Sequence, residues 1–447
     1  MIASSLWFSG CAQEPLYSGS VDLLALKEHT GIKVCVVGID GASYKDLQQV
    51  AGSGEAPTLA RILSAGSSAA LCGVMEQSTA VGWCDALTGK DAAGHGITAI
   101  LQKTEGNDPG GDSNIHSWNR PNGSLDRRCL AIWNILSAFE VDVGCVGLWA
   151  TAPAEPVRGF LISDQWFLPL HSAIQEYRET GATSCPPGIE AKIAPLLFPP
   201  EKLPVAEMET LFPLTAEDRE VLERTKKPLV GHGFTYLKYG FAMQRSIEES
   251  TLRLIEEAPP EVLILQLPAL FQVALTFWHE RDPELFGLRD TDSSVRRSQV
   301  FPGLLRHADR FLARLLERLE PDTLLLVLST QEVGPATVTP VFVPVIHFGQ
   351  YRSPGLAREM AAIGHSGRPE GTGFVIAAFG PAQPGERTTG NLVDLTPTLL
   401  GLLGLPIARD MQGRVLTELF DPKFFTSHPL RFIDTYETRV DRSSQFR

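Results

Sequence analysis

Six short apolar runs recur along this chain, each with the length of a strand rather than a helix. They read KVCVVGID (33–40), DVGCVGLW (142–149), EVLILQLP (261–268), TLLLVLST (323–330), VPVIHFG (343–349) and GFVIAAFG (373–380). None alternates apolar with polar residues along its length, as a strand with one wet face would. They predict strands covered on both sides. Amphipathic helical patterns fall between them. In FPGLLRHADRFLARLLERLE (301–320), Leu304, Ala308, Phe311, Leu312, Leu315 and Leu319 share one face and Arg and Glu take the other. FAMQRSIEESTLRLIEEA (241–258) places Met243, Ile247 and Leu254 at similar spacing. Alternating strands and helices predict an α/β fold: a mostly parallel sheet with helices on both faces.

Ligands of such sheets bind just beyond the carboxyl ends of the strands. That rule singles out particular residues. Asp40 closes the first run; a carboxylate there binds a cation or simply serves an Asp-Gly turn. Thr330, Gln331 and Glu332 follow the fourth run, and the first two are poor metal ligands and poor general bases. Ser78 and Thr79 precede a helical stretch. One of them caps that helix, or a hydroxyl there acts as a nucleophile where the helix dipole and free N–H groups favour phosphate. Such a hydroxyl still needs a base or a metal to activate it. His95, in GHG, reads as a turn residue.

The bulk numbers narrow the function classes. With 447 residues the chain has room for one large or two ordinary domains with a real core. A net charge of −13 leaves nothing to neutralise a phosphate backbone, so nucleic acid is not an expected partner. No apolar run approaches the ~18 residues of a membrane span. Seven cysteines are present without a CxxC pair, and Cys35 and Cys145 sit inside strand patterns as buried thiols. The opening MIASSLWFSGCAQEP resembles the end of a bacterial lipoprotein signal with Cys11 as the lipidated residue, yet lacks its basic region. An extracytoplasmic lipoprotein and a cytoplasmic protein both stay open.

Composition shifts divide the chain. Residues 1–30 form an N-terminal segment. The core spans 31–165 and 239–420, with a polar Gly- and Pro-containing loop at 104–127. Residues 166–238 carry CPPGIE, LFPPEKLP and KKPLVGHG with weak periodicity, and read as an inserted cap. Residues 421–447 form a tail with a frayed end.

Longer segments carry a family likeness. VVGIDGA, APTLARILSAGSSA, TAVGWCDALTGKDAAGHGI, CLAIWNILSAFEVDVGCVGLWATAPAEPVRGFLISD, GRPEGTGFVIAAFGP and LVDLTPTLLGLLGLPIARDMQGRVL occur in this order. Together they resemble the alkaline phosphatase superfamily, on its type I phosphodiesterase/nucleotide pyrophosphatase branch. The resemblance implies a three-layer alkaline-phosphatase-like fold and hydrolysis of phosphate esters by two cations, usually zinc. In that chemistry each cation holds one oxygen of an in-line displacement, and a Thr or Ser attacks phosphorus.

The resemblance also implies which residues do the work. Asp40 matches the first metal-binding Asp, and Thr79, four residues before Trp83, matches the nucleophile. The family then places an Asp and, four residues on, a His shortly before a Trp; counted back from Trp278, these positions hold Phe271 and Leu275. The family's next strand ends in Ser-Asp-His-Gly, where this chain has Ser329-Thr330-Gln331-Glu332. A last His precedes RPEG in the family, where this chain has Gly367. Five of the seven positions thus lack their ligand. Glu332 and His365 are the nearest stand-ins, and His279 lies on the wrong side of Trp278. Arg368 reads as a turn arginine, and His232 and Tyr236 of GHGFTY as structural residues.

The expectation is a pseudoenzyme with no bound cofactor and Asp40 as a vestigial ligand. Its cap and old pocket would receive a phosphorylated small molecule, a glycan or a partner protein. The alternative is an active metal-dependent phosphodiesterase with Thr79 as nucleophile, in which zinc or another divalent cation is weakly bound at a reduced or relocated site.

Overall fold

The computed structural model describes residues 23–73, 78–103, 118–167, 181–224, 233–286, 291–335 and 367–438. Its strands are β1 (Val34–Gly38), β2 (Gly66–Cys72), β3 (Leu101–Lys103), β4 (Trp118–Pro121), β5 (Val143–Val146), β6 (Gly159–Ile162), β7 (Ser184–Cys185), β8 (Val262–Gln266), β9 (Leu324–Ser329), β10 (Val333–Pro335), β11 (Gly367–Pro369), β12 (Thr372–Ala378), β13 (Arg387–Asn391), β14 (Ile407–Ala408) and β15 (Phe432–Ile433). Nine of them form one sheet in the order β13-β2-β12-β9-β1-β8-β5-β6-β7. Within it β12 runs antiparallel to both neighbours, β7 runs antiparallel to β6, and the remaining pairs are parallel. The mostly parallel α/β sheet expected from the apolar runs is therefore the architecture.

Two hydrophobic cores, one on each face, explain why the central strands are apolar throughout. In β1, Cys35 and Val37 enter one core while Val34 and Val36 enter the other. In β9, Leu325 and Val327 face the first, and Leu324, Leu326 and Leu328 the second. Removing such a side chain from water contributes about 1.5–3 kcal/mol. The helix Val300–Leu316 adds Leu304, Ala308, Phe311, Leu312 and Leu315 to the first core, along the stripe read from the sequence.

Five of the six predicted strands are found, and the sixth, at 343–349, lies outside the described residues. Strands β2, β6, β7 and β13 were not foreseen. GSSAALC of β2 and RTTGN of β13 lack any dense apolar run, because small or polar residues suffice near a sheet edge. From the expected cap, residues 181–224 fold into short helices and turns, and Ile193, Leu203, Met208, Leu211, Phe212 and Leu222 join the first core. The helix Gly233–Glu257 runs unbroken past residue 238. In the tail, Pro422–Ser427 is helical, and Tyr436 is buried with its hydroxyl on the Pro406 carbonyl; residues 439–447 lie outside the described residues. No helix among the described residues is long and apolar enough to cross a membrane.

Register sets the geometry that matters most. Gly38 of β1 pairs with Gln266 of β8 on one side and Leu328 of β9 on the other. Three strands thus end level, which brings Asp40, Gln266 and Thr330 to one stretch of the carboxyl rim.

Candidate functional site at the carboxyl rim

Two glycines admit the side chains that surround Asp40. A Cβ on Gly38 would lie 2.1 Å from Cζ2 of Trp83, so the indole occupies the space that any other residue at 38 would fill. The ring belongs to the helix Thr79–Thr88, every residue of which is buried. Its Nε1–H donates to Asp40 Oδ2 at 2.6 Å. Gly82, one turn into the same helix, faces Thr330, whose Cβ would be 3.2 Å from an added methyl group.

Asp40 itself is wholly buried. Oδ2 also accepts Gln266 Nε2–H at 2.9 Å. Oδ1 accepts the backbone N–H of Thr330 at 2.8 Å and its hydroxyl at 2.9 Å. Four protein donors, two on each oxygen, therefore hold the carboxylate. Burial pushes this carboxyl up to about 6; the bonds from Thr330 and Trp83 pull it down and do not offset burial.

Thr79 takes the first helical position, after Ser78 at the N-cap. The Ser78 side chain does not cap the helix, so that expectation is met by position only. Thr79 is buried, and its Oγ1 accepts Gln331 Nε2–H at 2.8 Å. Gln331 is fixed in turn: its carbonyl accepts Gly41 N–H at 3.0 Å and the Ser329 hydroxyl at 3.0 Å. Thr330 bonds to Asp40 and its chain neighbour Gln331 to Thr79, so the peptide between 330 and 331 joins the two hydrogen-bonded pairs across the rim.

The other expected positions lie around it. Gly41 adopts φ +85°, and a Cβ there would meet Phe271 Cα at 2.7 Å, so the backbone at Phe271 abuts the residue after Asp40. Phe271 is half-buried and Leu275 buried in the helix Ala269–Arg281, which packs against β10 and β11. Gly367 begins β11, opposite Pro335. Neither Leu275 nor Gly367 hydrogen-bonds into the Asp40 network through its side chain, having no polar group to do so. Glu332 is bridged to Gly41 through the backbone, and its carboxylate accepts the Tyr44 N–H; burial raises its pKa. It serves the start of the helix Tyr44–Gly52. Arg368 pairs with Glu370. His95 is buried with Nε2 2.8 Å from Asp85 Oδ1. His232 and His365 lie outside the described residues.

A dinuclear zinc centre needs several anionic or imidazole donors free to coordinate. Among the described residues no three His, Cys, Asp or Glu side chains group to hold a metal ion. The one family carboxylate present, Asp40, already spends both oxygens on protein donors. The described residues do not fit the group.

Residues 34–351 match the family described as type I phosphodiesterase / nucleotide pyrophosphatase. This chain belongs to that family. No curated protein matches it. Among solved structures, wild-type alkaline phosphatase PafA aligns with TM-score 0.52 and 11% identity, over 87% of this chain and 98% of that one, which supports the fold. Murine ectonucleotide pyrophosphatase / phosphodiesterase 5 aligns with TM-score 0.41 and 14% identity, over 87% of this chain and 100% of that one. Phosphonoacetate hydrolase from Sinorhizobium meliloti 1021 aligns with TM-score 0.40 and 14% identity over 68% of this chain. The match spans only 57% of that hydrolase. The family fold is thus present.

Sequence reasoning missed two members of this site. Gln266 was visible only as the polar residue near the end of the apolar run VLILQLP, and Trp83 only as a landmark for Thr79. A polar side chain closing an apolar strand was the available signal for Gln266.

Proposed function

We propose that this chain is a non-hydrolytic member of the type I phosphodiesterase family, which uses the family fold to hold a ligand or partner without a dinuclear metal centre. One observation carries the reading: both oxygens of Asp40 are taken by neutral protein donors. A cation at Asp40 would have to displace the Trp83 indole, the Gln266 amide and the Thr330 hydroxyl. Each donor would then lose its partner in a buried site, at about 1–3 kcal/mol apiece. The donor residues also stand where the resemblance places ligands: Thr330 itself, and Gln331 on Thr79. Exchange of an acceptor ligand for a donor neighbour is a self-consistent way to keep a buried carboxylate satisfied once a metal is gone.

A second reading has its own support. Thr79 keeps its place at the head of a buried helix, in one network with Asp40. It would attack a phosphodiester with a reduced metal set. Against it, Gln331 occupies the hydroxyl oxygen and offers no base.

Metal analysis of purified protein and turnover of an activated phosphodiester decide between them, with Thr79→Ala as control. The expected result is no stoichiometric zinc and no Thr79-dependent turnover. Near-stoichiometric zinc together with activity lost in Thr79→Ala overturns the proposal.

A further inference from the structure

Asp164 is a buried carboxyl group at the start of the short helix Asp164–Phe167, which follows β6. Among the described residues no lysine or arginine pairs with it. The loop after β5, residues 147–151, closes around it instead. The backbone N–H groups of Ala150 and Thr151 hydrogen-bond to the carboxyl group, as does that of Gln165 on its own helix. Gly147 N–H donates to the Ile162 carbonyl at 2.9 Å, and Thr151 Oγ1 accepts the Asp164 N–H at 3.1 Å. The segments that follow β5 and β6 are thus laced together around one titratable group.

One contact shows which protonation state this geometry suits. Thr151 Oγ1 donates to the Leu148 carbonyl at 2.6 Å and lies 3.2 Å from Asp164 Oδ1. A hydroxyl has a single proton, and the shorter bond claims it. The contact with Oδ1 is then a hydrogen bond only when Asp164 carries the proton. Burial acts in the same direction: it pushes this carboxyl up to about 7, and the surrounding N–H groups do not offset it.

The loop that Asp164 holds is strained and touches the rim. Ala150 has φ +56°, in the left-handed region that a Cβ disfavours. It shares a small buried cluster with Val81 and Cys84 of the helix Thr79–Thr88, which also carries Trp83. Few other charges reach Asp164. Cys84 lies within its field, with a thiol that burial keeps protonated. Asp85 on the same helix is held at 2.8 Å by His95, and Arg127 is paired with Glu155. Strands β5, β6 and β7 bring only the thiols of Cys145 and Cys185. The helix Gly233–Glu257 packs against Asp164–Phe167, but its buried Glu248 is taken up by Arg245 and His307, and its Lys238 by the Leu222 carbonyl.

We propose that Asp164 is a proton-operated latch on the loop 147–151: protonated, it keeps the loop closed against the helix that carries Thr79 and Trp83, and ionised, it favours release of the loop into water. An ionised carboxyl group without a cation is poorly accommodated in the interior, and opening hydrates it. The inference goes beyond the reading of the rim above, since it needs neither metal nor ligand there.

The test is hydrogen exchange of the full chain, read by mass spectrometry from pH 4.5 to 8.5 and corrected for the intrinsic rate at each pH. The closed loop holds its proton up to about pH 7. An open loop sheds it near the ordinary aspartate value of about 4. Opening therefore gains up to about tenfold per pH unit between those limits and nothing above them. Peptides covering 147–152 should lose protection at least about tenfold from pH 4.5 to 7 and level off beyond. They should exchange faster than the helix Val300–Leu316 throughout. Asp164→Asn cannot ionise and should show no such fall. A second readout needs no change at 164: acrylamide quenching of Trp149, taken as the difference between the natural chain and Trp149→Phe, should ease up to pH 7 and then stay level. Protection of 147–152 and quenching of Trp149 that do not change with pH overturn the proposal. A fall retained in Asp164→Asn assigns the effect to another group and overturns it too. A fall shared equally by Val300–Leu316 is global unfolding and does the same.

Discussion

Thr330 donates twice to a single oxygen of Asp40, through its backbone N–H at 2.8 Å and its hydroxyl at 2.9 Å. The backbone contact would survive any substitution at 330, but the hydroxyl would not. Thr330→Val keeps the shape and removes one donor, and should cost about 1 kcal/mol in urea denaturation. Thr330→Asp puts a second carboxylate against a buried one and should cost about 3 kcal/mol or more without metal. Millimolar zinc should raise the melting temperature of Thr330→Asp and leave that of the natural chain unmoved. Zinc stabilisation of the natural chain would contradict the saturated Asp40 described here.

Asp40 also makes stability depend on pH in an unusual direction. Burial raises its carboxyl to about 6, and burial likewise raises Asp164 to about 7 against the bonds from Thr151 and neighbouring N–H groups. A group whose folded pKa exceeds its unfolded value holds its proton more tightly when folded. Its contribution is complete below about pH 4 and is lost as pH rises through the folded pKa. For Asp40 the difference is worth about 3 kcal/mol. Stability measured from pH 4 to 7 should therefore fall more steeply in the natural chain than in Asp40→Asn. Parallel curves would mean that Asp40 ionises freely.

Gly41 tests the approach of the Phe271 backbone to the rim. It has φ +85°, and an added Cβ would lie 2.7 Å from Phe271 Cα and 2.9 Å from its nitrogen. Gly54 has a similar φ of +81° with nothing within 4 Å. Gly54→Ala should cost about 1 kcal/mol, the left-handed backbone alone. Gly41→Ala should cost about 3 kcal/mol or more, since backbone cannot swing aside as a side chain can. Chemical denaturation of the pair separates strain from contact, and equal losses would refute the close approach.

Much of this arrangement was readable before any coordinates. Runs such as LLLVLS of β9 are dense enough to declare a strand buried on both faces, and the rim rule then pointed at Asp40, Thr330 and Gln331. What escaped is what depends on register and close contact. Whether Gln266 stands level with Asp40 is decided by the pairing of β8 with β1, which no local pattern encodes. That Trp83 donates to Asp40 follows from the missing side chain at Gly38, a contact 45 residues apart in sequence. Strands β2 and β13 escaped for the opposite reason: their small and polar residues carry no strand signal, and tertiary pairing alone makes them strands.

A buried ion network anchors the helix that carries Phe271 and Leu275, and its pH response should oppose that of Asp40. Glu248 is wholly buried on the helix Gly233–Glu257. It accepts Gln244 Nε2–H at 2.9 Å, Arg245 Nη1–H at 3.2 Å and His307 Nε2–H at 2.8 Å. An ionised carboxylate only accepts, so His307 must present its Nε2 proton. The other end of Gln244 accepts the Ala269 N–H at 3.2 Å, which ties the network to the first residue of the helix Ala269–Arg281. Burial pushes the Glu248 carboxyl up, but His307, Arg245 and Gln244 more than offset it, and its pKa lies below the ordinary value. Such a group stabilises above its unfolded pKa, and the contribution is lost as pH falls through the folded one. Glu248→Ala leaves His307 buried without its partner and should cost about 3–5 kcal/mol at pH 7. Glu248→Gln keeps the volume and half of the acceptors, so it should cost less. As pH is lowered below about 4, the natural chain should lose its advantage over Glu248→Gln, whereas the gain from protonating folded Asp40 is already complete there. Denaturation of both variants at pH 7 and pH 3.5 checks the sign, and an advantage that grew on acidification would show that Glu248 is not held ionised by its partners.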